Sequence, residues 1–227
     1  MIFLKIITFS TLKGGVGKSS CLFNISGILA EDNKKVLALD IDPQGNTTNN
    51  FGIDRTVPSF KSFKLVSLAG REYILKNYIE ENMDKFSSYD YILIDTNPSM
   101  SIINQNAFVA ADNIILVSDI SMNSLEGSEL FIALWNDISK RLRLQPKISG
   151  FLINMFDKRI NLSSQFFDFC KNHQDISKLL FNTVIPNNVK IKESELEAKP
   201  INLYDTSSSG YKAYVNLYNE MKERGIL

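Results

Sequence analysis

Residues 10–20 of the chain read STLKGGVGKSS and lie between an apolar run and an amphipathic run. The preceding residues 3–9, FLKIITF, are rich in β-branched and aromatic side chains, which is typical of a buried strand. The apolar residues that follow, from Cys21 to Leu29, recur at helical spacing. The segment therefore predicts a strand, a glycine-rich turn and a helix.

The turn contains three glycines within four residues, Gly14, Gly15 and Gly17. Glycine adopts positive φ without a steric penalty and lets the backbone come close to a ligand. Several backbone N–H groups of such a turn point inward at the positive end of the helix dipole. We therefore expect the turn to hold phosphate groups.

Two side chains after the last glycine fit the same chemistry. Lys18 would place a positive charge on the outer phosphates, and the hydroxyl of Ser19 would complete a Mg²⁺ shell. The strict phosphate-loop pattern is not met, because its first glycine would fall on Leu12, and a second lysine, Lys13, precedes the paired glycines. Glycine-rich turns with a lysine also occur in proteins that bind no nucleotide, and later parts of the chain favour the nucleotide interpretation.

Two further apolar runs end in acidic residues. Residues 36–39, VLAL, form a continuous apolar run, as expected for a strand covered on both faces, and are followed by Asp40 and Asp42. Residues 89–95, YDYILID, end in Asp95. Ligands of parallel sheets bind beyond the carboxyl ends of the strands, so these carboxylates are expected beside the phosphate loop. Asp40 and Asp42 would point to opposite sides of an extended chain, which predicts different roles for them. Asp95 suits the second shell of Mg²⁺, and the alternatives are a turn aspartate at 42 and a structural carboxylate at 95.

The remaining pattern alternates strands and helices. We predict strands at 113–117 and 148–153 and helices at 124–143, 161–172 and 211–224, with a strand at 59–68 and a helix near 73–83 in the least regular stretch. In the helix at 124–143, the apolar stripe is Leu130, Leu134, Ile138 and Leu142. Trp135 is expected in packing and His173 in solvent. The alternation predicts an α/β fold with a doubly wound, mainly parallel β-sheet flanked by helices.

Composition narrows the class of protein. The chain has 227 residues, 44% of them hydrophobic, which suits one domain spanning residues 1–227. Basic and acidic residues number 25 each, so DNA or membrane binding would need a local charged patch. The two cysteines lack metal-ligand spacing, and no apolar run approaches the length of about 20 residues that a membrane span needs. We expect a cytoplasmic protein with no helix-turn-helix extension before the first strand.

Residues 13–19, KGGVGKS, resemble the deviant Walker A motif of the ParA/MinD family of P-loop ATPases, to which the ParA/Soj-type partition ATPases belong. Residues 40–48, DIDPQGNTT, resemble the Walker A′ segment of this family. Residues 95–99, DTNPS, resemble its Walker B end, although Asn97 replaces a proline. The resemblance extends from Ile6 to about Met221, and it implies the deviant P-loop NTPase fold.

The resemblance implies an ATPase that uses ATP and Mg²⁺, with Lys13, Lys18 and Asp42 as catalytic residues. By this match Asp42 positions the attacking water, Asp40 supports the metal site with Ser19 and Asp95, and Lys13 reaches the nucleotide of a second subunit. The matching loop residues are Lys13, Gly14, Gly15, Val16, Gly17, Lys18, Ser19 and Ser20. Asn154, Pro186 and Asn187 match the residues that hold the adenine.

The resemblance also implies partners: an ATP-dependent homodimer that binds DNA nonspecifically and associates with the nucleoid, and a ParB-type centromere-binding adaptor that stimulates hydrolysis in plasmid or chromosome partition. The candidate DNA contacts are Lys158, Arg159, Lys190, Lys192, Lys199 and Lys212. Asn187 and Ser207–Ser209 stand where relatives often carry arginine.

Other classes stay open. Asp119 and Ser121 replace the Gln-x-Glu that ParA relatives commonly carry, which leaves the subfamily undecided. The alternatives are a MinD-like or protein-cluster positioning ATPase and a nucleotide-dependent scaffold. Stable membrane binding is not expected, because the C-terminal residues have mixed charge and little apolar tail. Cys21 and Cys170 do not suit the cluster ligands of an iron-protein reductase.

Overall fold

The computed structural model describes residues 4–53 and 70–227. Within them lies a five-stranded sheet in which every strand pairing is parallel, with the order β2-β3-β1-β4-β5. The strands are β1 (Lys5–Ser10), β2 (Val36–Asp40), β3 (Tyr91–Asp95), β4 (Asn113–Ser118) and β5 (Ile148–Ile153). The prediction of a doubly wound parallel sheet is confirmed.

Ten α-helices connect and flank these strands in the described ranges. They are α1 (Lys18–Glu31), α2 (Asn46–Asn50), α3 (Ile74–Glu81), α4 (Met83–Phe86), α5 (Ile102–Ala110), α6 (Met122–Arg141), α7 (Asn161–Asn172), α8 (Val189–Leu196), α9 (Ile201–Tyr204) and α10 (Ser209–Glu223). A short 3₁₀ turn, Arg71–Tyr73, precedes α3. The strand predicted at 59–68 lies outside the described residues.

The register of the sheet sets the position of the acidic strand ends. Phe9 at the end of β1 pairs with Asp95, and Asp95 pairs on its other side with Asp40. Because the strands are parallel, their carboxyl ends lie at one edge of the sheet, where the glycine-rich turn leaves β1. The fold therefore brings three separate motifs of the sequence to a single edge.

Hydrophobic side chains form two clusters of buried residues, as a doubly wound sheet requires. One cluster joins β1 to α1 and α10 and includes Leu22, Tyr214 and Leu217. The second joins the sheet to α5, α6 and α7 and includes Phe108 and Trp135. The sheet is thus covered on both faces, and the strands β1 and β3 are buried in the middle of it.

Three expectations about burial were wrong. All five residues of β2 are half-buried, because this strand lies at an edge of the sheet that the described residues form, and not at its covered centre. Leu130 and Leu134 of α6 are 53% and 38% exposed. The buried face of α6 instead carries Phe131 and Trp135, whose rings pack against Phe108 with centroids 5.2 and 5.1 Å away. These large aromatic rings remove more apolar surface from water than the leucine stripe would.

The third wrong expectation about burial concerns His173. Its Nε2 atom lies 2.6 Å from Oε1 of Glu129 in α6, and its side chain is only 17% exposed. The solvent-exposed position predicted for it was wrong, because the partner carboxylate lies on another helix that the local sequence does not reveal. Trp135 is buried as predicted, and its Nε1 donates to the carbonyl of Pro146 at 2.7 Å. No helix in the described ranges is long and apolar enough to cross a bilayer.

Candidate nucleotide-binding site

The glycine-rich turn has the backbone of a tight ligand loop. Gly15 and Gly17 have φ values of +79° and +81°, in the left-handed region that favours glycine. A Cβ atom on Gly17 would lie 2.1 Å from Nδ2 of Asn154, which itself donates to the carbonyl of Val16 at 2.8 Å. A side chain at position 17 would collide with the amide of Asn154 unless that amide moved, so the turn packs closely against the residue that follows β5.

A buried polar cluster lies directly after this turn. The ammonium of Lys18, the first residue of α1, donates to Oδ1 of Asp95. Ser19 Oγ donates to Oδ2 of the same carboxylate at 2.6 Å, and Thr47 Oγ1 donates to that oxygen at 2.7 Å. Asp95 is fully buried and Lys18 is 7% exposed. The predicted residues Lys18, Ser19 and Asp95 are therefore in direct contact.

Thr47 was missed by the sequence analysis, although it lies in the segment that resembles Walker A′. A threonine hydroxyl carries no signal of its own, and Asp95 is 48 residues away in the chain. A buried ion pair such as Lys18–Asp95 stabilises a fold only if further hydrogen bonds satisfy its atoms, and the two hydroxyls do this here. The incoming phosphates of a nucleotide would offer Lys18 an alternative partner.

Asp40 and Asp42 have different surroundings, as the spacing predicts. The carboxylate of Asp40 accepts from the backbone N–H of Thr48 at 2.8 Å, from its hydroxyl at 2.7 Å and from the N–H of Asp42 at 3.1 Å. These bonds hold α2 and are directed to neither Lys18 nor Ser19. Asp42 is 8% exposed, and its Oδ1 accepts from the N–H of Gln44 at 2.9 Å.

Lys13 is held within its own subunit. Its Nζ lies 2.6 Å from Oδ2 of Asp119 and 2.9 Å from Oγ of Ser121, the residue that caps α6. Burial would raise the pKa of Asp119, but hydrogen bonds from Lys13 and Ser121 outweigh it and keep that pKa below the ordinary value. The two positions that depart from the Gln-x-Glu pattern are thus the ones that bind Lys13.

A cavity of about 100 Å³ opens beside the turn. Its lining includes the predicted residues Gly17, Ser20, Asn154, Pro186, Asn187 and Lys192. Glu195 of α8 also lines it and accepts from the hydroxyl of Ser20, and burial raises the pKa of this carboxyl. Sequence reasoning missed Glu195, because 175 residues separate it from Ser20.

The loop that carries Pro186 and Asn187 is anchored from behind by α10. The carboxylate of Glu220 accepts from the backbone N–H groups of Asn182 and Thr183, both at 2.8 Å, and pairs with Arg224 at 2.6 Å. Burial would raise the pKa of Glu220, but these donors and the charge of Arg224 lower it below its ordinary value.

The six candidate DNA contacts fall into two groups. Lys158, Arg159 and Lys212 line one open groove of about 880 Å³, together with amide and hydroxyl side chains. The other three, Lys190, Lys192 and Lys199, are not among its lining residues. Arg159, Lys190 and Lys199 are each paired with a neighbouring acid, at 2.7, 2.8 and 3.4 Å.

The residues present fit a magnesium nucleotide. In the part of the chain that the structure describes, no group of three or more His, Cys, Asp or Glu side chains could hold a metal ion. Mg²⁺ commonly uses few protein ligands and completes its shell with substrate phosphates and water. Ser19, at the start of the helix that follows the phosphate turn, and Asp95, at the end of β3, are suited to such a site.

Comparison with known proteins agrees with this site. The family of CobQ/CobB/MinD/ParA nucleotide-binding domains matches residues 7–201, and the chain therefore belongs to this family. The chain is 31% identical to the sporulation initiation inhibitor protein Soj of Bacillus subtilis, covering 97% of this chain and 99% of that protein. It is 28% identical to the chromosome partitioning protein ParA of Myxococcus xanthus, covering 97% and 88%. The resemblance to ParA/Soj-type proteins is confirmed.

Solved structures support the same fold. The septum site-determining protein MinD of Pyrococcus horikoshii, complexed with Mg-ADP, superposes with a TM-score of 0.73 at 23% identity, covering 99% of this chain and 98% of that one. The ParA and MinD proteins of this family are P-loop ATPases.

Proposed function

We propose that the protein is a Mg-ATP-dependent ATPase switch in plasmid or chromosome partition. The observation that carries this proposal is the contact of Lys18 and Ser19 with the buried carboxylate of Asp95 beside a glycine-rich turn. The 28% identity with the chromosome partitioning protein ParA of Myxococcus xanthus over nearly the whole chain favours partition among the functions of the family.

The residues of the site support in-line attack of water on the γ-phosphate of ATP. The turn and Lys18 would hold the phosphates and neutralise the charge that develops on them. Asp42 would orient the attacking water. Bound Mg²⁺ would supply further charge neutralisation, held by Ser19 with Asp95 behind it. Catalysis is then a matter of positioning and charge, and hydrolysis is slow without a partner.

The base of the nucleotide is assigned to the cavity beside the turn. Asn154 and the loop carrying Pro186 and Asn187 would hold the adenine, and the lining residue Glu195 places a carboxylate near the nucleoside. Because Asn154 also binds the carbonyl of Val16, base recognition and the shape of the phosphate turn depend on one side chain.

ATP is proposed to join two copies of the chain through Lys13, and hydrolysis to release them. The ATP-bound dimer would bind DNA through the groove that Lys158, Arg159 and Lys212 line, with contributions from Lys190, Lys192 and Lys199. A ParB-type adaptor would stimulate hydrolysis. In this proposal the protein is cytoplasmic and associates with the nucleoid when ATP is bound.

The test is DNA binding by the purified protein with Mg²⁺ and either no nucleotide, ADP, ATP or a slowly hydrolysed analogue, at two salt concentrations. Binding that needs ATP or the analogue and weakens with salt is expected. Replacing Lys158 and Lys212 by Glu should weaken it about tenfold or more, because phosphate contacts supply most of nonspecific affinity. The double change Lys35→Glu and Lys178→Glu, which alters the charge by the same amount at exposed lysines outside the groove, is the control.

Phosphate release separates the enzyme from a scaffold. The wild type should release phosphate from ATP, faster with DNA and adaptor present, and Asp42→Ala should bind ATP but release none. Equal and negligible release by both proteins would support a scaffold. ATP-dependent dimers that ignore DNA would instead support a positioning ATPase that acts on a protein cluster or a membrane.

A further inference from the structure

The hydroxyl groups of Thr47 and Ser19 make the same contact with Asp95. Both groups donate to the same oxygen, Oδ2 of Asp95, at 2.7 and 2.6 Å. Thr47 is 1% exposed and belongs to α2, whereas Ser19 belongs to α1. Two helices that follow different strands thus each present one hydroxyl to one buried carboxylate.

The hydroxyl oxygens of Ser19 and Thr47 still have lone pairs that could bind a metal ion. Each hydroxyl has given its single proton to Asp95, so its lone pairs remain available to a further partner. Neutral hydroxyl oxygens beside a carboxylate are ligands that suit a hard cation such as Mg²⁺. The described residues offer no cluster of three acidic, histidine or cysteine side chains as an alternative.

Asp40 fixes the position of Thr47. It accepts from both the backbone N–H and the hydroxyl of Thr48, the next residue, so α2 is tied to the end of β2. β2 is in turn paired with β3, which carries Asp95. The backbone next to Thr47 is therefore tied to the sheet by bonds other than the one between Thr47 and Asp95.

We infer that Thr47 is a second hydroxyl residue of the magnesium site, acting with Ser19 in holding the Mg²⁺ of the bound nucleotide. The inference rests on the proposed function. It also gives Asp40 a positioning role through α2, in place of a direct contact with the metal. Since Asp42 lies between Asp40 and Thr47, metal binding at Thr47 holds the segment that carries the water-positioning carboxylate.

The test measures how much Mg²⁺ strengthens the binding of ADP, which cannot be hydrolysed at the γ-position. ADP affinity is measured by calorimetry with MgCl₂ and with EDTA, for the wild type and for Thr47→Val, which keeps the shape but loses the hydroxyl. The ratio of the two affinities should fall about tenfold in Thr47→Val, because a magnesium-site oxygen is lost. Affinity in EDTA should stay within about twofold of the wild type. Thr47→Ser should restore the ratio.

Thr48→Val is the matched control, because its hydroxyl binds Asp40 and not Asp95, and the backbone N–H of residue 48 still holds α2 to Asp40 in this variant. It should keep the wild-type ratio. The inference is overturned if Thr47→Val keeps that ratio, or if Thr48→Val loses as much, since the hydroxyls would then only anchor α2. If valine lowers the melting temperature of the nucleotide-free protein, Thr47→Ser decides: loss of the Mg²⁺ effect there also overturns the inference. A wild type that binds ADP equally with and without Mg²⁺ would overturn the proposed function itself.

Discussion

The ammonium of Lys13 lies 2.6 Å from the carboxylate of Asp119 in the same subunit. The two side chains are 34% and 24% exposed, so water screens their attraction in part. If Lys13 serves the nucleotide of a second subunit, it must first leave Asp119 and Ser121. The ion pair is therefore expected to oppose dimerisation.

Asp119→Asn should lower the ATP concentration needed for half-maximal dimerisation about two- to fivefold, which corresponds to the 0.5–1 kcal/mol of a partly exposed ion pair. Sedimentation or light scattering with a slowly hydrolysed ATP analogue measures this. Asp137→Asn is the control, because it removes an exposed pair with Arg141 on the same helix. An unchanged midpoint for Asp119→Asn would show that Lys13 is not restrained by this contact.

Gly17→Ala should weaken nucleotide binding. The added Cβ would lie 2.1 Å from Nδ2 of Asn154, and φ at +81° adds backbone strain of about 1 kcal/mol. Displacing Asn154 also removes its bond to the carbonyl of Val16. We expect ADP affinity to fall at least about tenfold in calorimetry, or about 1.4 kcal/mol.

Gly225→Ala is the control for Gly17→Ala, because it adds backbone strain without a steric clash. Gly225 has φ at +70°, but a Cβ there meets no atom within 4 Å. This variant should lose some stability and bind ADP normally. Normal ADP binding by Gly17→Ala would contradict the assigned position of the nucleotide.

Glu220→Gln should lower the free energy of unfolding near neutral pH by about 1–3 kcal/mol, because charged hydrogen bonds to a backbone loop are weakened. The folded pKa of Glu220 lies below its ordinary value of 4.5. Its stabilising contribution is therefore fully present above about pH 4.5 and is lost as the pH falls through the lowered folded pKa.

Denaturant unfolding between pH 7 and pH 3 measures both effects. The Glu220→Gln variant should show a shallower loss of stability on the acid side than the wild type. Glu223→Gln, a neighbouring change at an exposed position of α10, should follow the wild-type curve. Parallel curves for the wild type and Glu220→Gln would exclude the proposed anchoring of the loop at residues 182–183 by this carboxylate.

Neither cysteine should react with a thiol reagent such as DTNB in the native protein. Cys21 and Cys170 are fully buried, and burial raises the pKa of both thiols to about 12. The count should be zero thiols under native conditions at pH 8 and two after denaturation. Rapid labelling of the native protein would indicate local opening near α1 or α7.

The sequence was most informative where function depends on neighbouring residues. The turn from Gly14 to Ser19 could be predicted because glycine, lysine and hydroxyl residues act within one segment. The acidic ends at Asp40 and Asp95 were also predictable, since apolar strands that end in carboxylates are a local pattern. Their pairing across the sheet follows from the parallel topology.

Features that depend on tertiary contacts were not predictable. Thr47, Glu195 and Asp119 gain their roles from partners 48, 175 and 106 residues away. Leu130 looked like a core residue because helical spacing identifies an apolar stripe but not which of two stripes faces the sheet. The aromatic contacts with Phe108 decide this, and they are formed only when α5 and α6 meet.

The parallel sheet also has a consequence for the synthesis of the protein. β1 is made first and lies at the centre of the sheet, but Lys5 pairs with Tyr91 and Ile7 with Asn113. The ribosome must therefore synthesise the chain through Ser118, about half of its 227 residues, before β1 can be paired on both sides, and such long-range pairing is slow. The glycine-rich turn that leaves β1 precedes all of these partners in the chain, yet its contacts with Asp95 and Asn154 can form only after those residues have been made.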